Sequence, residues 1–339
     1  MHALLKSATA PARRIHISRT LAVCLSGATL ALGCGSTGAS SSTTTSTGTP
    51  NAYTAIYKAM SFGSTVTVSF PSTCEMTLTT SGKPDYTPNA YYLAPTSGSQ
   101  TAVAYTAVTH TALAVISYAS VIAPSLEGSS ATINICPTQA SSTTATSLGA
   151  IGYLISGTAM FNSFEMNAST PAVADNASYT FTDGTGTQQT AYFLDQCDSH
   201  SNGMTWHAHG NPSCVTSQVD TATGPSHLIG IALDGFPVYG GRDNKGNIVQ
   251  VSQLDACNGM FPSGAYHYVL PIGVTTRNAS INCYNGAVSS GTLAQARKLA
   301  CNMKTMFAMI ENQQNRQKAK QTTATMTMPD GSTMPMGSM

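Results

Sequence analysis

The chain has 339 residues, enough for one large or two small domains, and its formal net charge of +1 offers nucleic acid no electrostatic footing. Only 9% of its residues are charged, well below the roughly 25% of an average soluble domain. Ser, Thr, Ala and Gly fill the difference, which suits an exported bacterial protein with hydroxyl-lined strands and argues against a cytosolic helical enzyme.

The N-terminus opens basic, with Lys6, Arg13, Arg14 and Arg19, and runs into an apolar stretch over 21–32. That stretch is too short to span a bilayer as a helix and reads as an export signal. It ends Ala31-Leu32-Gly33-Cys34, similar to the lipobox of bacterial lipoproteins, although a lipobox prefers Leu at the place of Ala31 and a small residue at the place of Leu32. Residues 1–34 are expected to be a signal peptide with a lipobox-like end, the mature protein beginning at Cys34 and carrying lipid there. Ordinary signal cleavage beside an incidental cysteine is the alternative. The Gly/Ser/Thr-rich run over 35–50 cannot bury a core and reads as a flexible tether. A membrane reached through the lipid is the one partner this implies, and the expected location is the periplasm or cell envelope, at the outer membrane.

From 51 to 290 the dominant period is two. Residues 64–70, 76–78, 131–135 and 179–181 alternate apolar with polar side chains, most of these hydroxyls, as half-buried strands do. Residues 102–105 and 112–122 are more continuously apolar and read as buried strands. Asp183-Gly184, Asn202-Gly203, Asp234-Gly235, Asn258-Gly259 and Asn285-Gly286 are turn signals. Asp243-Asn244-Lys245-Gly246 reads as a hairpin loop between Pro237-Val238-Tyr239 and a strand over 248–251. Helical spacing comes late, with Leu299, Met303, Met306 and Met309 or Ile310 on one face, and predicts a C-terminal helix within 291–320. Residues 321–339 read as a Met-rich disordered tail.

One passage is written twice. Ile151-Gly152-Tyr153 through Met160-Phe161 is matched by Ile229-Gly230-Ile231 through Val238-Tyr239. Leu194-Asp195-Gln196-Cys197 and Trp206-His207 are matched by Leu254-Asp255-Ala256-Cys257 and Tyr266-His267, with ten residues from Cys to His in both. The expected fold is therefore mainly β, a single β-rich domain built from two related repeats (about 151–214 and 229–286) with a C-terminal helix.

Of nine cysteines, Cys24 falls in the signal and Cys34 at the lipobox. The other seven are disulfide candidates in an exported chain. The repeat suggests one local bridge per copy, Cys197 with Cys214 and Cys257 with Cys283. Cys74 with Cys136 then closes the N-terminal part, and Cys301 is left over. No CxxC pair occurs, which weighs against a cysteine metal site.

The run Asp234-Gly235-Phe236-Pro237-Val238-Tyr239-Gly240, the block Leu254-Asp255-Ala256-Cys257-Asn258-Gly259 and Ala265-Tyr266-His267-Tyr268 together resemble the YHYH-domain family, over roughly 64–286. That family is named for a Tyr-His-Tyr-His motif and occurs in exported bacterial proteins. The resemblance implies fold and export rather than a reaction. Two departures bear on the site. The second copy reads Tyr266-His267-Tyr268-Val269, losing its last His, and Met260 stands where the family pattern would give a His. The first copy reads Trp206-His207-Ala208-His209, keeping both histidines, with His200 three residues after Cys197.

His207 and His209 are two apart, so on a strand they share a face and can meet one metal. His200 lies across a turn signal from them, and His267 would approach across a pseudo-twofold axis. A site of His200, His207, His209 and His267 suits copper or zinc and leaves room for water. Asp195, Asp198 and Asp255 are candidates for orienting the rings. The alternative is that these His and Tyr side chains knit the disulfide loops; His227 could join either scheme, and His110 suits a structural role. Met326, Met328, Met334, Met336 and Met339 are thioethers that would favour Cu(I), or belong to a low-complexity tail in which Met is tolerated.

No glycosidase carboxylate pair, Gly-x-Ser-x-Gly elbow, Walker loop or dinucleotide fingerprint is recognisable. The expected function is an exported, lipid-anchored protein that binds a transition metal, copper favoured, through the histidines of the duplicated Cys/His block. A metal-dependent enzyme of unknown reaction, or a surface binding module with structural histidines, remains open.

Overall fold

A computed structural model describes residues 51–95, 113–166, 168–298, 325–327 and 333–335. A helix, Ala52–Ala59, comes first, its N-terminus capped by the Asn51 side chain accepting from the Tyr53 N–H. The strands follow in chain order. They are β1 (Val66–Ser72), β2 (Glu75–Thr80), β3 (Tyr91–Pro95), β4 (Leu113–Ser117), β5 (Ser129–Asn134), β6 (Gln139–Ala145), β7 (Ala150–Leu154) and β8 (Ala159–Phe161). Next come β9 (Ser178–Thr182), β10 (Gln188–Tyr192), β11 (Ser199–Ser201), β12 (Trp206–Ala208), β13 (Leu228–Ala232) and β14 (Pro237–Tyr239). The series continues with β15 (Gly259–Met260), β16 (His267–Val269) and β17 (Cys283–Gly286). Helices Ser213–Val219 and Ser290–Lys298 follow β12 and β17 respectively, so the protein is mainly β with a short helix toward its C-terminus.

The hydroxyl-rich alternation makes a three-stranded antiparallel sheet, β1-β2-β5. Met76, Leu78, Ala131 and Ile133 point into the core, while Thr77 and Thr132 on the other face hydrogen-bond each other at 3.0 Å. A second sheet runs β4-β3-β10-β9. Period two on β3 serves two cores at once: Tyr92 and Ala94 pack with Trp206, and Leu93 packs with Phe193 and Ala191.

The largest sheet has eight strands in the order β11-β12-β8-β7-β13-β14-β16-β15. Read from either end, an antiparallel pair is followed by a parallel step and then an antiparallel hairpin. At its centre β7 and β13 are antiparallel, with Ile231 opposite Tyr153, Gly230 opposite Leu154 and Ala232 opposite Gly152. A Cβ on Gly152 or Gly230 would run into the carbonyl of Ile231 or Tyr153, so both positions of this close crossing need glycine. Both strands are covered on both faces, which is why they read as continuous apolar runs.

The loops before β11 and β15 are built alike. The Asp195 carboxylate accepts the Cys197 and Ser199 N–H groups at 2.8 and 3.0 Å, and that of Asp255 accepts those of Cys257 and Gly259, both at 2.8 Å. Asp198 and Asn258 then take left-handed φ values of 50° and 68°, a conformation that Asp and Asn tolerate better than other side chains. Disulfides join Cys197 to Cys214, Cys257 to Cys283 and Cys74 to Cys136. Cys34 and Cys301 lie outside the described residues.

The Tyr268 hydroxyl donates to the buried Asp234 carboxylate at 2.5 Å and accepts the Asn285 N–H at 2.7 Å. This couples the Asp-Gly-Phe-Pro-Val-Tyr run to the Tyr-His-Tyr block. Tyr268→Phe leaves two buried polar groups short of a partner and is expected to destabilise the fold by about 1–3 kcal/mol, read by denaturant titration.

Three expectations are corrected. Residues 112–122 do not form one strand: β4 ends at Ser117, and a π-helical turn, Tyr118–Ile122, follows, started by Ser117 accepting the Ser120 N–H. The segment after Asp243 is not a paired strand. Asp243 closes its loop by accepting from Lys245 and Asn247, a single bridge joins Arg242 to Ile248, and the chain then turns into a 3-10 helix, Val251–Gln253. The expected late helix is present, starting at Ser290 and described to Lys298. The tail is not wholly irregular: β18 (Thr325–Thr327) and β19 (Thr333–Pro335) pair antiparallel, as Thr/Met alternation on either side of Pro329-Asp330-Gly331 allows.

Candidate metal centre

The site stands on β11 and β12. Their antiparallel register sets His200 directly opposite His207, and His209 follows two residues after His207, just past the strand end. Its backbone N–H donates to the Asp198 carbonyl at 2.8 Å, so the left-handed turn after Cys197 also fixes where His209 sits. The Cys197–Cys214 bridge ties that turn to the helix Ser213–Val219.

The three rings converge. Their centroids are 4.7 Å (His200–His207), 4.8 Å (His207–His209) and 5.1 Å (His200–His209) apart. One ring nitrogen from each lies within 4.8 Å of those of the other two, the geometry of a metal-binding group. His200 Nε2 and His209 Nε2 face each other at 3.2 Å. Tetrahedral zinc with bonds of about 2.0–2.1 Å needs ligand nitrogens about 3.3 Å apart, so this pair is already at a ligand spacing.

Each ring is oriented by a backbone carbonyl. His207 Nδ1 meets Thr205 O at 3.0 Å, His209 Nδ1 meets Asn162 O at 2.8 Å, and the His200 ring bonds the Phe193 backbone. A ring that donates one N–H to a carbonyl presents its other nitrogen as a bare lone pair, the form a metal takes. Phe161 stacks on His207 with centroids 3.9 Å apart, and Phe193 lies edge-on to His200 at 4.9 Å. His207 and His209 are buried, and His200 keeps partial exposure.

Burial is the first cause holding these imidazoles neutral. It pushes His209 down to about 4, and His200 and His207 well below the usual histidine value, with the neighbouring rings adding like-charge repulsion. Among the described residues no carboxylate bonds any of the three rings. Asp195, Asp198 and Asp255, expected as ring partners, are loop-builders instead. Burial raises Asp195 to about 7 and Asp198 to about 6.

His267 does not join the group. It lies on β16, five strand spacings from β12 in the sheet order, roughly 24 Å at about 4.8 Å per spacing. β12 and β16 lie on opposite sides of the β7–β13 pair, so the two Cys/His blocks stand toward opposite ends of the sheet rather than at one point. His227 is exposed and pairs with Asp220 at 3.0 Å. His110 lies outside the described residues. The carbonyls of Asn162, Thr205 and Phe193 carry no signal in sequence, because any residue supplies one. Phe161 could have been found, since it ends the first repeated run.

Among the described residues, no helix is long and apolar enough to cross a membrane. Neither a curated protein nor a solved structure matches the chain. Residues 130–247, which hold β7 through β14 and all three clustered histidines, match the family model described as YHYH protein, so the chain carries a YHYH domain over that stretch.

Proposed function

We propose that this is an exported, lipid-anchored protein that holds one transition-metal ion, copper in preference to zinc, on His200, His207 and His209. The observation that supports it best is the facing pair of Nε2 atoms at 3.2 Å. His209 holds its proton on Nδ1 toward Asn162, so its Nε2 is an acceptor that needs a proton or a cation in front of it. Three neutral imidazoles walled by Phe161 and Phe193 supply nitrogen donors without charge. A singly charged Cu(I) is less costly to bury there than a divalent ion, and imidazole is a good copper ligand. His200 is the least buried of the three, so an ion, or the substrate of a metal-dependent enzyme, would approach from its side. Export and lipid attachment rest on residues 1–34 and fit the three disulfides.

The test is metal titration of the purified chain with Cu(I) and with Zn(II) against a competing chelator. One equivalent is expected to bind at these residues. His200→Ala, the least buried change, is expected to weaken it at least tenfold while thermal unfolding stays close to wild type. Undiminished uptake by a folded His200→Ala/His209→Ala variant would leave these histidines as structural members of the disulfide loop.

A further inference from the structure

The other end of the eight-stranded sheet has a counterpart of the histidine pair. Offset by sixty residues, Met260 and His267 occupy the places of His200 and His207. The local structure is the same in kind. Asp255 and Asp195 close equivalent turns, and the Val269 N–H donates to Asn258 O as the His209 N–H donates to Asp198 O. Met260 is directly opposite His267 in the antiparallel register, as His200 is opposite His207. Directly opposed residues send their side chains to one face with Cβ atoms about 5 Å apart. Tyr239 lies against the His267 ring with centroids 4.6 Å apart, where Phe161 lies against His207. Only the third ligand is missing, Val269 standing at the place of His209.

The His267 ring differs from its counterpart in one telling way. His200, His207 and His209 each spend a nitrogen on a backbone carbonyl. His267 makes a ring contact with Tyr239, and no protein group among the described residues hydrogen-bonds either of its nitrogens. It is nevertheless partly buried, as are Met260 and Tyr239. An imidazole that has given up part of its water without gaining a partner, set opposite a thioether, has donors to spare.

We propose that Met260 and His267 form a second, separate site for a soft monovalent cation, Cu(I) or its redox-inert analogue Ag(I). A thioether selects soft ions, and two ligands satisfy a monovalent one that zinc would not accept. The site lies roughly 24 Å from the three-histidine cluster by strand count, so it stands whether or not that cluster holds a metal.

Methionine-methyl NMR of the full-length chain under Ag(I) titration tests it. The Met260 resonance, assigned with Met260→Leu, is expected to shift within the first equivalents. The shift should be lost or need at least tenfold more silver in His267→Ala, and should persist in His200→Ala/His209→Ala. Silver shifts confined to other methionines would overturn the proposal by moving the ion to the tail. So would a Met260 shift unchanged in His267→Ala, because the two residues would then not act together.

Discussion

In the metal-free protein, replacing His209 with Gln is expected to change how stability responds to acid by about 3 kcal/mol between pH 7 and pH 4. The folded-state value of His209 is depressed to about 4 by burial, against an ordinary value near 6.5. Below 6.5 the unfolded chain takes up this proton and the folded chain refuses it. The wild type therefore loses stability as pH falls from about 6.5 through about 4, by about 1.4 kcal/mol for each step of one in pH between those values. His200 and His207 are lowered too and act in the same direction. Buried carboxylates act in the opposite one. Asp195, Asp198 and Asp234 are raised to about 7, 6 and 6, so their contribution is full at low pH and is lost as pH rises through those values. A wild-type acid titration alone mixes the two groups. The difference between wild type and His209→Gln isolates the imidazole, since the carboxylates are common to both. A difference that stays constant from pH 7 to 4 would mean that His209 is protonated normally in the folded state.

The second large effect concerns the two local disulfides, which should be separable by what they do to metal binding. Closing loops of 17 and 26 residues restricts the unfolded chain by about 3 and 3.5 kcal/mol respectively. Cys197→Ser/Cys214→Ser and Cys257→Ser/Cys283→Ser should thus destabilise to a similar degree in denaturant. Only the first frees the turn that places His200 and His209, so only the first should also weaken metal uptake at the three-histidine site. Equal affinity in both variants would show that the β11–β12 ladder alone holds the histidines in place.

Much of this fold is legible in the chain, for physical reasons that can be named. Period two marks β1, β2, β5 and β9 because each has one wet face. The doubled Leu-Asp-x-Cys block marks two loops because a local hydrogen-bond pattern depends on local sequence. His200, His207 and His209 come together through contacts inside one such unit, which is why spacing alone finds them. His267 shows where that reasoning stops. A repeat predicts the same neighbourhood twice, but says nothing about whether the two neighbourhoods touch, and that is decided by the long-range pairing of β7 with β13. The pairing of β6 with β17 and the double duty of β3 are also long-range and leave no period behind. Residues 112–122 misled for a different cause. Continuous apolarity signals burial, and burial is served equally well by a strand and by the helical turn that Ser117 starts.

The ends of the large sheet bear on a further matter, how such a chain avoids pairing with its own copies. Its outermost strands, β11 and β15, are three and two residues long. A sheet edge is a template for a second molecule, and natural proteins usually guard it with lysines and other charges. With only 9% charged residues, this chain has few to spare. It guards the edges by brevity: a ladder of two or three residues gives an incoming strand too few hydrogen bonds to offset the entropy of ordering it. Lengthening either edge strand, even by conservative insertion, would therefore be a route to fibrous association rather than to a larger sheet.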